Sequence, residues 1–270
     1  MSLVDTNWLE ENLDKVKIID CSWHMPQTER NGFDEYKNNH IKNAIFFDLD
    51  KNSKKDTDLP HMLTDAKSWE NIVSSMGIKN DDQIVIYDNS DVISSCRCWY
   101  NFIYFGHNPE LVHVLDGGLK KWIKEDKATT SDIIKIIPSN YIANEKRELV
   151  KDINQINKNI LENNFNVIDA RSLERFEGKV PEPRKGLRSG SIKNSFCLPF
   201  SELINQDHTF ISKEKIHEKF KSTGYDVDKN IVFTCGSGVT ASVLALAYSL
   251  IDIKYMPNIY DGSWSEYGKN

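Results

Sequence analysis

The chain lacks both a long apolar run and an excess of positive charge. No apolar stretch in its 270 residues approaches the roughly 18 residues of a membrane span. The opening residues, MSLVDTNWLEENLDKVK, contain neither the basic nor the apolar region of a secretion signal. The formal net charge is −6, so the chain creates no field that attracts nucleic acid or anionic lipid. The sequence therefore argues against a nucleic-acid or membrane function, and an anionic substrate would need a local basic site.

Cysteine is also scarce, with five residues that are irregularly spaced. An odd, irregular set does not make a disulfide framework, so we expect reduced thiols in a reducing compartment and predict a cytoplasmic location. Cys96 and Cys98 are separated by one residue, which is wrong for most zinc ligand pairs, and no His-rich motif follows them. Buried or incidental thiols are predicted there and at Cys21 and Cys197. No metal and no organic cofactor is predicted.

The two halves of the chain repeat each other. Residues 74–88, SSMGIKNDDQIVIYD, match residues 221–235, KSTGYDVDKNIVFTC, and this alignment places Asp88 opposite Cys235. A hydrophobic share of 39% and a charged share of 27% are those of a globular protein, and the length suits two domains. We therefore predict two copies of one fold. Three further blocks match in the same order: 16–23 with 165–172, 40–50 with 191–201, and 114–124 with 259–269.

Each copy alternates short apolar runs with amphipathic helical stretches. Runs such as Ile84–Tyr87 and Ile231–Thr234 are rich in Ile and Val, and Ala241–Leu250 is apolar nearly all round, which predicts a buried helix. The alternation predicts the α/β class, with a mainly parallel sheet flanked by helices in each copy. The IIKII segment between the copies is expected to pack on a domain. The predicted organisation is a first domain at 1–127, a linker at 128–146 and a second domain at 147–270.

The sequence around Cys235 combines a strand, a glycine-containing turn and a helix. Ile231–Thr234 lead directly into Cys235 and a helix follows, so the thiol is predicted at the carboxyl end of a parallel strand, where ligands bind in open α/β sheets. Gly236 and Gly238 can adopt φ > 0, which lets successive N–H groups face one point. Those amides and the helix N-terminus favour a thiolate, the nucleophilic form of cysteine.

Other interpretations of this loop are weaker. A free cysteine that ends a strand is most often a small buried hydrophobe, and that alternative stands beside the catalytic one. Phosphate binding is disfavoured because GSGVT (236–240) lacks both the Gly-x-x-x-x-Gly-Lys of a P-loop and the Gly-x-Gly-x-x-Gly of a dinucleotide site. A Cys-x5-Arg phosphatase loop fails because Ala241 stands at the arginine position, so nothing in the loop grips phosphate bidentately.

CGSGVTA (235–241) resembles the active-site loop of the 3-mercaptopyruvate sulfurtransferases of the rhodanese superfamily. Thiosulfate-preferring rhodaneses resemble it too, but carry basic side chains directly after the cysteine. The resemblance implies two tandem rhodanese-like domains, the first inactive and the second catalytic, in agreement with Asp88 at the position of Cys235. SGSIKNS (189–195) departs from the Gly-His-Ile-Pro-Gly-Ala that the family often has at a structural turn. Further segments that fit the family are HIKNAIFFDLD, LPHML, VLDGGLKKW, DARSLERFEG, EPRKG and YDGSWSEYG.

The resemblance also implies a substrate site beside the loop. Arg175 and Arg184, in the motifs RFxG and EPR, would be the substrate-binding pair. A 2-oxo acid offers a planar carboxylate that guanidinium groups grip bidentately. The alternative is a solvated charged loop, within which Arg171 is expected to make structural ion pairs. The loop residues expected to contribute to binding are Gly236, Gly238, Val239 and Thr240.

A proton relay is implied by the same resemblance. Asp50 and His61, which the sequence assigns to the first domain, match residues that would act with Ser237. Such a trio has the logic of an oriented proton carrier and could protonate the enolate of pyruvate or activate the donor thiol. Packing between domains is the alternative role for His61.

The function predicted from the sequence is transfer of sulfur from 3-mercaptopyruvate to a thiol or cyanide acceptor, through a persulfide on Cys235, with release of pyruvate. A small-molecule sulfur donor and a thiol acceptor such as thioredoxin are the predicted partners. A thiosulfate:cyanide sulfurtransferase is the alternative enzyme and predicts basic residues at 236 and 237, where the sequence has Gly and Ser. A non-catalytic sulfur-carrier or regulatory module is the alternative from another class, but such modules often lose the cysteine or the loop glycines.

Overall fold

A computed structural model describes residues 2–252 and 254–269 of the chain. Within those ranges, no helix is long and apolar enough to cross a membrane. The chain divides by its contacts into two compact units. The first unit comprises Met1–Lys55, Leu63–Lys146 and Gln206–Phe210, and the second comprises Asp56–Met62, Arg147–Asn205 and Ile211–Asn270.

Two short segments belong to a different unit from their neighbours in sequence. Asp56–Met62 is part of the second unit, where Asp58 forms an ion pair with Lys269 at 2.7 Å. The sequence assigned His61 to the first domain, whereas its contacts group it with the second unit, and the predicted domain bounds stay a prediction. Gln206–Phe210 is part of the first unit, where the Phe210 N–H donates to Asp116 Oδ1 at 2.8 Å.

The first unit is a five-stranded parallel sheet with helices, in the strand order β1-β6-β5-β2-β4. Its central strand β5, with the sequence IVIY, is buried along its whole length, as expected for a strand covered on both faces. The strands are β1 Leu3–Val4, β2 Lys17–Asp20, β3 His40–Ile41, β4 Ala44–Phe46, β5 Ile84–Tyr87, β6 Val112–Leu115 and β7 Thr129–Thr130, with β3 and β7 forming a separate antiparallel pair. The α-helices are α1 Thr6–Asn12, α2 Gly32–Asn38, α3 Ala66–Ser75, α4 Ser95–Tyr104 and α5 Gly118–Lys124.

The second unit repeats this architecture, with a parallel sheet in the order β10-β9-β11-β12-β8. Its longest helix, α9, is apolar nearly all round and buried over most of its length, because it lies against the sheet and a neighbouring helix. The strands are β8 Val150–Lys151, β9 Asn166–Asp169, β10 Phe196–Cys197, β11 Ile231–Thr234 and β12 Ile259–Tyr260. The α-helices are α6 Ile153–Glu162, α7 Leu173–Phe176, α8 Lys213–Ser222, α9 Val239–Ile251 and α10 Ser263–Tyr267.

The strand orders of the two sheets correspond when one is read in reverse. β5 and β11 are both central, and each is bordered on one side by the strand that matched in the repeat, β2 or β9. The predicted α/β class and the two copies of a parallel sheet flanked by helices are confirmed. Trp122 and Trp264 are each 1% exposed and therefore anchor the cores of the first and second unit.

Residues between the two copies pack on the first unit. The Ser139 N–H donates to the Ser74 carbonyl at 2.9 Å, and the Asn144 N–H donates to the Phe105 carbonyl at 2.9 Å. Tyr141 is 1% exposed. The segment is thus held by backbone hydrogen bonds and one buried ring, but Ile133, Ile136 and Ile137 are 61%, 36% and 80% exposed, so the expected packing of the IIKII side chains on a domain is wrong for these three residues.

Candidate active site

Cys235 lies at the carboxyl end of the central strand of the second unit. It directly follows β11, whose four residues are all buried, and the residue itself is 2% exposed. Its backbone is fixed from α10: the Trp264 N–H donates to the Cys235 carbonyl at 2.9 Å, and the Cys235 N–H donates to Ser263 Oγ at 3.3 Å. The thiol therefore has the position that the sequence predicted, between the end of a strand and the start of α9.

The two loop glycines serve different purposes. Gly238 has φ +81°, and this left-handed turn places it as the N-cap residue of α9. Gly236 does not have a positive φ, so only Gly238 of the two uses the conformational freedom that the sequence offered. A Cβ on Gly236 would lie 3.4 Å from Arg175 Nη2 and 3.5 Å from Arg184 Nη1. A Cβ at this position would be in ordinary contact with both groups, so the two guanidinium groups lie directly beside residue 236.

Arg175 and Arg184 converge on this loop from the segment that follows β9. Arg184 Nη2 donates to Ser237 Oγ at 3.3 Å. Arg175 Nε and Nη2 donate to Glu182 at 3.2 and 2.6 Å, and its side chain remains 21% exposed. The structure thus brings together the two arginines that the sequence singled out, and one of them is held by a carboxylate.

Arg171 has a structural role, as the sequence predicted. Its side chain is fully buried, donates to both oxygens of Asp169 and to the Gly190 carbonyl, and donates from Nη1 to Glu182 Oε1 at 2.8 Å. The guanidinium also lies over the ring of Trp264, 4.2 Å from its centroid. These contacts engage four of the five guanidinium N–H groups, so the side chain is held away from the loop.

Ser237 is in contact with His61. Ser237 Oγ lies 2.9 Å from His61 Nδ1, and both residues are buried, at 5% and 4% exposure. Asp50, the third member of the predicted relay, belongs to the first unit, where it accepts a hydrogen bond from Trp23 Nε1 at 3.0 Å. The Ser237–His61 pair is therefore present, and the participation of Asp50 stays a prediction.

The remaining predicted binding residues, Val239 and Thr240, form the first turn of α9. Val239 is 3% exposed and Thr240 is half-buried. The first backbone N–H groups of a helix have no partner within that helix, and the positive end of its dipole favours a nearby anion. The first turn of α9 is thus suited to stabilise negative charge at Cys235.

The other cysteines are poorly suited to nucleophilic chemistry. Cys21, Cys96 and Cys98 are completely buried, and burial raises the pKa of Cys21 and Cys96 well above that of a free thiol. Burial, and to a smaller extent the nearby Asp169 carboxylate, raises the pKa of the Cys197 thiol to about 12. Across the described ranges, no group of three His, Cys, Asp or Glu side chains could hold a metal ion.

The corresponding position of the first unit holds no thiol. Asp88 follows β5 as Cys235 follows β11, and its carboxylate accepts hydrogen bonds from the N–H groups of Ser90 at 2.7 Å and Ser95 at 2.9 Å. Burial raises the pKa of Asp88. A carboxylate held in this way cannot carry sulfane sulfur, which agrees with an inactive first copy.

Sequence reasoning missed three residues of this site. Ser263 and Ser265 hold the cysteine loop, the latter by donating from N and Oγ to the Gly236 carbonyl at 2.9 and 2.6 Å. Glu182 holds Arg175. The only signal for Glu182 was an acidic residue within a mostly basic segment, and no signal marked the serines.

Comparisons with known proteins agree with this geometry. The family model of the rhodanese-like domain matches the chain twice, at residues 5–125 and 152–270. The chain is 38% identical over 288 residues to thiosulfate/3-mercaptopyruvate sulfurtransferase 1, mitochondrial, of Arabidopsis thaliana, covering 98% of this chain and 75% of that protein. It is 35% identical over 274 residues to the 3-mercaptopyruvate sulfurtransferase of Mus musculus, covering 98% and 91%. The crystal structure of SseA from Escherichia coli, described as showing the rhodanese fold of 3-mercaptopyruvate sulfotransferases, superposes with a TM-score of 0.88 at 32% identity, covering 98% of this chain and 100% of that one.

Proposed function

The chain belongs to the family of rhodanese-like domain proteins, and on that premise we propose that it is a sulfurtransferase that takes sulfur from 3-mercaptopyruvate and carries it as a persulfide on Cys235. The products are pyruvate and a sulfurated acceptor. The acceptor is a thiol, such as that of reduced thioredoxin, or cyanide. The reaction needs no metal and no organic cofactor.

Each step follows from the chemistry of the groups in the loop. Arg175 and Arg184 hold the donor carboxylate, and the Cys235 thiolate attacks the donor sulfur. The carbon–sulfur bond breaks with its electron pair remaining on carbon, which gives the enolate of pyruvate and a Cys235 persulfide. A proton delivered through Ser237 and His61 converts the enolate to pyruvate. An acceptor thiolate then attacks the outer sulfur and restores the Cys235 thiolate.

The observation that carries the donor assignment is the position of the two guanidinium groups beside Gly236. Positive charge is supplied by side chains outside the loop, while the loop itself offers glycine and serine. A planar carboxylate fits guanidinium groups bidentately, which supports a 2-oxo acid as the donor.

Thiosulfate is the second candidate donor. The relative from Arabidopsis thaliana is named for both thiosulfate and 3-mercaptopyruvate, so the family accommodates either compound. Thiosulfate is compact and doubly charged, and a site that prefers it would gain from cations within the loop.

The cytoplasm is the proposed location, supported by the five free cysteines, which suit a reducing compartment.

The donor assignment is tested by measuring steady-state kcat/KM for 3-mercaptopyruvate and for thiosulfate with the same acceptor. We expect 3-mercaptopyruvate to be preferred by at least about tenfold, which corresponds to about 1.4 kcal/mol. A preference for thiosulfate would replace the proposed donor but leave the Cys235 carrier in place.

The carrier assignment is tested with Cys235→Ser. A hydroxyl cannot hold sulfane sulfur, so we expect turnover below about 1% of the unchanged protein. Mass spectrometry after donor treatment should show one added sulfur, about 32 Da, on the peptide that contains Cys235. Cys197→Ser is the matched control, because Cys197 is the half-buried thiol of the same unit, and it should keep full activity. Added sulfur on another cysteine alone would contradict the proposal.

A further inference from the structure

Glu182 is a carboxylate buried among arginines next to the proposed donor site. Its side chain is 1% exposed. Oε1 accepts hydrogen bonds from Arg171 Nη1 at 2.8 Å and from Arg175 Nε at 3.2 Å, and Oε2 accepts from Arg175 Nη2 at 2.6 Å. Bonds between ionised partners are short and strong, so this carboxylate fixes the plane of the Arg175 guanidinium.

The orientation of Glu182 is itself fixed from the opposite side. Arg171 is immobile because it is buried and also bonded to Asp169 and to the Gly190 carbonyl. Glu182 therefore cannot follow Arg175 if that side chain moves. Two of the five N–H groups of the Arg175 guanidinium are committed to Glu182, and its Nη2 end lies next to Gly236.

The network of Asp169, Arg171, Glu182 and Arg175 contains two anions and two cations. As a group it is neutral, although it presents Arg175 to the cysteine loop. The donor 3-mercaptopyruvate has a single carboxylate, whereas thiosulfate is a dianion. If Glu182 were uncharged, the network would gain one positive charge, and a dianion would benefit from it more than a monoanion, since Coulomb energy scales with the product of charges.

We propose that Glu182 determines the donor preference: it orients Arg175 and offsets its charge, so that the site favours a singly charged carboxylate over a compact dianion. This inference rests on the proposed function, because it assumes that both kinds of donor approach Cys235. Glu182 acts through Arg175 and is a positioning residue.

The test is the donor ratio of Glu182→Gln. Glutamine keeps the size and one acceptor but removes the charge, so kcat/KM for thiosulfate relative to 3-mercaptopyruvate should rise by about tenfold or more, which is about 1.4 kcal/mol. Glu182→Asp keeps the charge but shortens the side chain, and should raise KM for both donors by a similar factor, which leaves the ratio unchanged. Glu174→Gln is the matched control, since Glu174 is exposed on the same segment, and should leave both unchanged. A folded Glu182→Gln variant with the ratio of the unchanged protein would overturn the proposal.

A second measurement uses the unchanged protein, in case Glu182→Gln does not fold. Alkylation of Cys235 by iodoacetamide is followed in the presence of pyruvate, a monoanion, or oxalate, a dianion of similar size. Pyruvate should protect at a concentration at least about tenfold lower than oxalate. Equal protection, or better protection by oxalate, would overturn the charge argument. If neither donor loads sulfur onto Cys235 while pyruvate protects as expected, the proposed function fails and the charge preference of the site stands.

Discussion

Ser237 Oγ forms hydrogen bonds with Arg184 and with His61, and the chemistry of arginine fixes the direction of the first. Arg184 has no acceptor, so it donates to Ser237 Oγ. The serine proton and its second lone pair remain for His61 Nδ1 at 2.9 Å. Arg184, proposed to hold the donor carboxylate, is thereby connected through Ser237 to His61, proposed to move a proton. This connection would couple donor binding to protonation of the enolate.

His61 has a left-handed backbone with φ 60°, a conformation that costs a non-glycine residue on the order of 1 kcal/mol and recurs at functional sites. The first unit offers a matched residue: His208 has φ 66° and lies 3.1 Å from Lys120 Nζ through its Nε2. The two histidines share a backbone conformation, but only His61 contacts the cysteine loop of the second unit.

His61→Gln should lower kcat by about 100-fold, the lower end of what a positioned acid or base contributes. KM for 3-mercaptopyruvate should change little, because the arginines that bind the carboxylate are unaltered. Steady-state kinetics check both values, and thermal unfolding verifies that the variant is folded. His208→Gln is the control and should keep the original kcat. An unchanged kcat in His61→Gln would leave the Ser237–His61 bond with a packing role.

At the scale of elements, the sequence predicted the strands and the buried helix, because hydrophobic periodicity determines them. β5 and β11 have the predicted bounds, because uninterrupted runs of β-branched residues favour buried parallel strands. α9 was predicted as buried because it lacks a polar face. The contacts of Gly236 could not be predicted, since the sequence shows that a residue has no side chain but not which distant groups lie beside it.

The Cys235–Gly238 loop carries no cation, and Gly236→Arg with Ser237→Lys tests whether added positive charge there favours thiosulfate. Two added cations beside the thiol should improve thiosulfate use by about tenfold or more. Use of 3-mercaptopyruvate should fall, because the new side chain at 236 would occupy the space next to the Arg175 and Arg184 guanidinium groups and because Ser237 is lost. Gly236 lacks a positive φ, so the substitution does not force a strained backbone.

The comparison for this loop exchange is Gly236→Ala with Ser237→Ala, which removes the hydroxyl and fills space without adding charge. Both double variants are first examined by circular dichroism, and kcat/KM is then measured with each donor. Improved thiosulfate use in the charged variant alone would support the charge argument. The original donor ratio in a folded charged variant would contradict it.

At the scale of the whole molecule, the duplication explains why the predicted architecture was correct. The two copies retain corresponding parallel strand orders, and matched apolar blocks reveal a shared fold even where side chains have diverged. The placement of Asp56–Met62 in the second unit could not be predicted, because these residues have no regular structure and follow the first copy in sequence. The same holds for Glu182, whose partners are determined by a loop without periodicity.

Three aspartates of the first unit have raised pKa values and should give the molecule an unusual pH dependence. Burial raises the pKa of Asp20 to about 7 and that of Asp116 to about 6. Burial raises the pKa of Asp88 as well. All three residues lie at the carboxyl ends of strands in the first sheet. A catalytic copy would use polar groups at this edge, and the first copy retains these carboxyl groups largely away from water.

Asp20 determines the sign of this dependence. In the unfolded chain an aspartate loses its proton near pH 4, whereas folded Asp20 keeps its proton until about pH 7. Between about pH 4 and pH 7, deprotonation of Asp20 therefore favours the unfolded chain. The free energy of unfolding should fall as pH rises through this range, by at most about 4 kcal/mol for this residue. Asp20→Asn should remove the contribution of Asp20 and leave those of Asp88 and Asp116, since asparagine does not ionise and can still accept the hydrogen bonds from Ser22. Urea unfolding at several pH values measures the slope, with the exposed Asp81→Asn as the control that should keep it whole. An unchanged slope in Asp20→Asn would mean that Asp20 is already ionised in the folded protein at low pH.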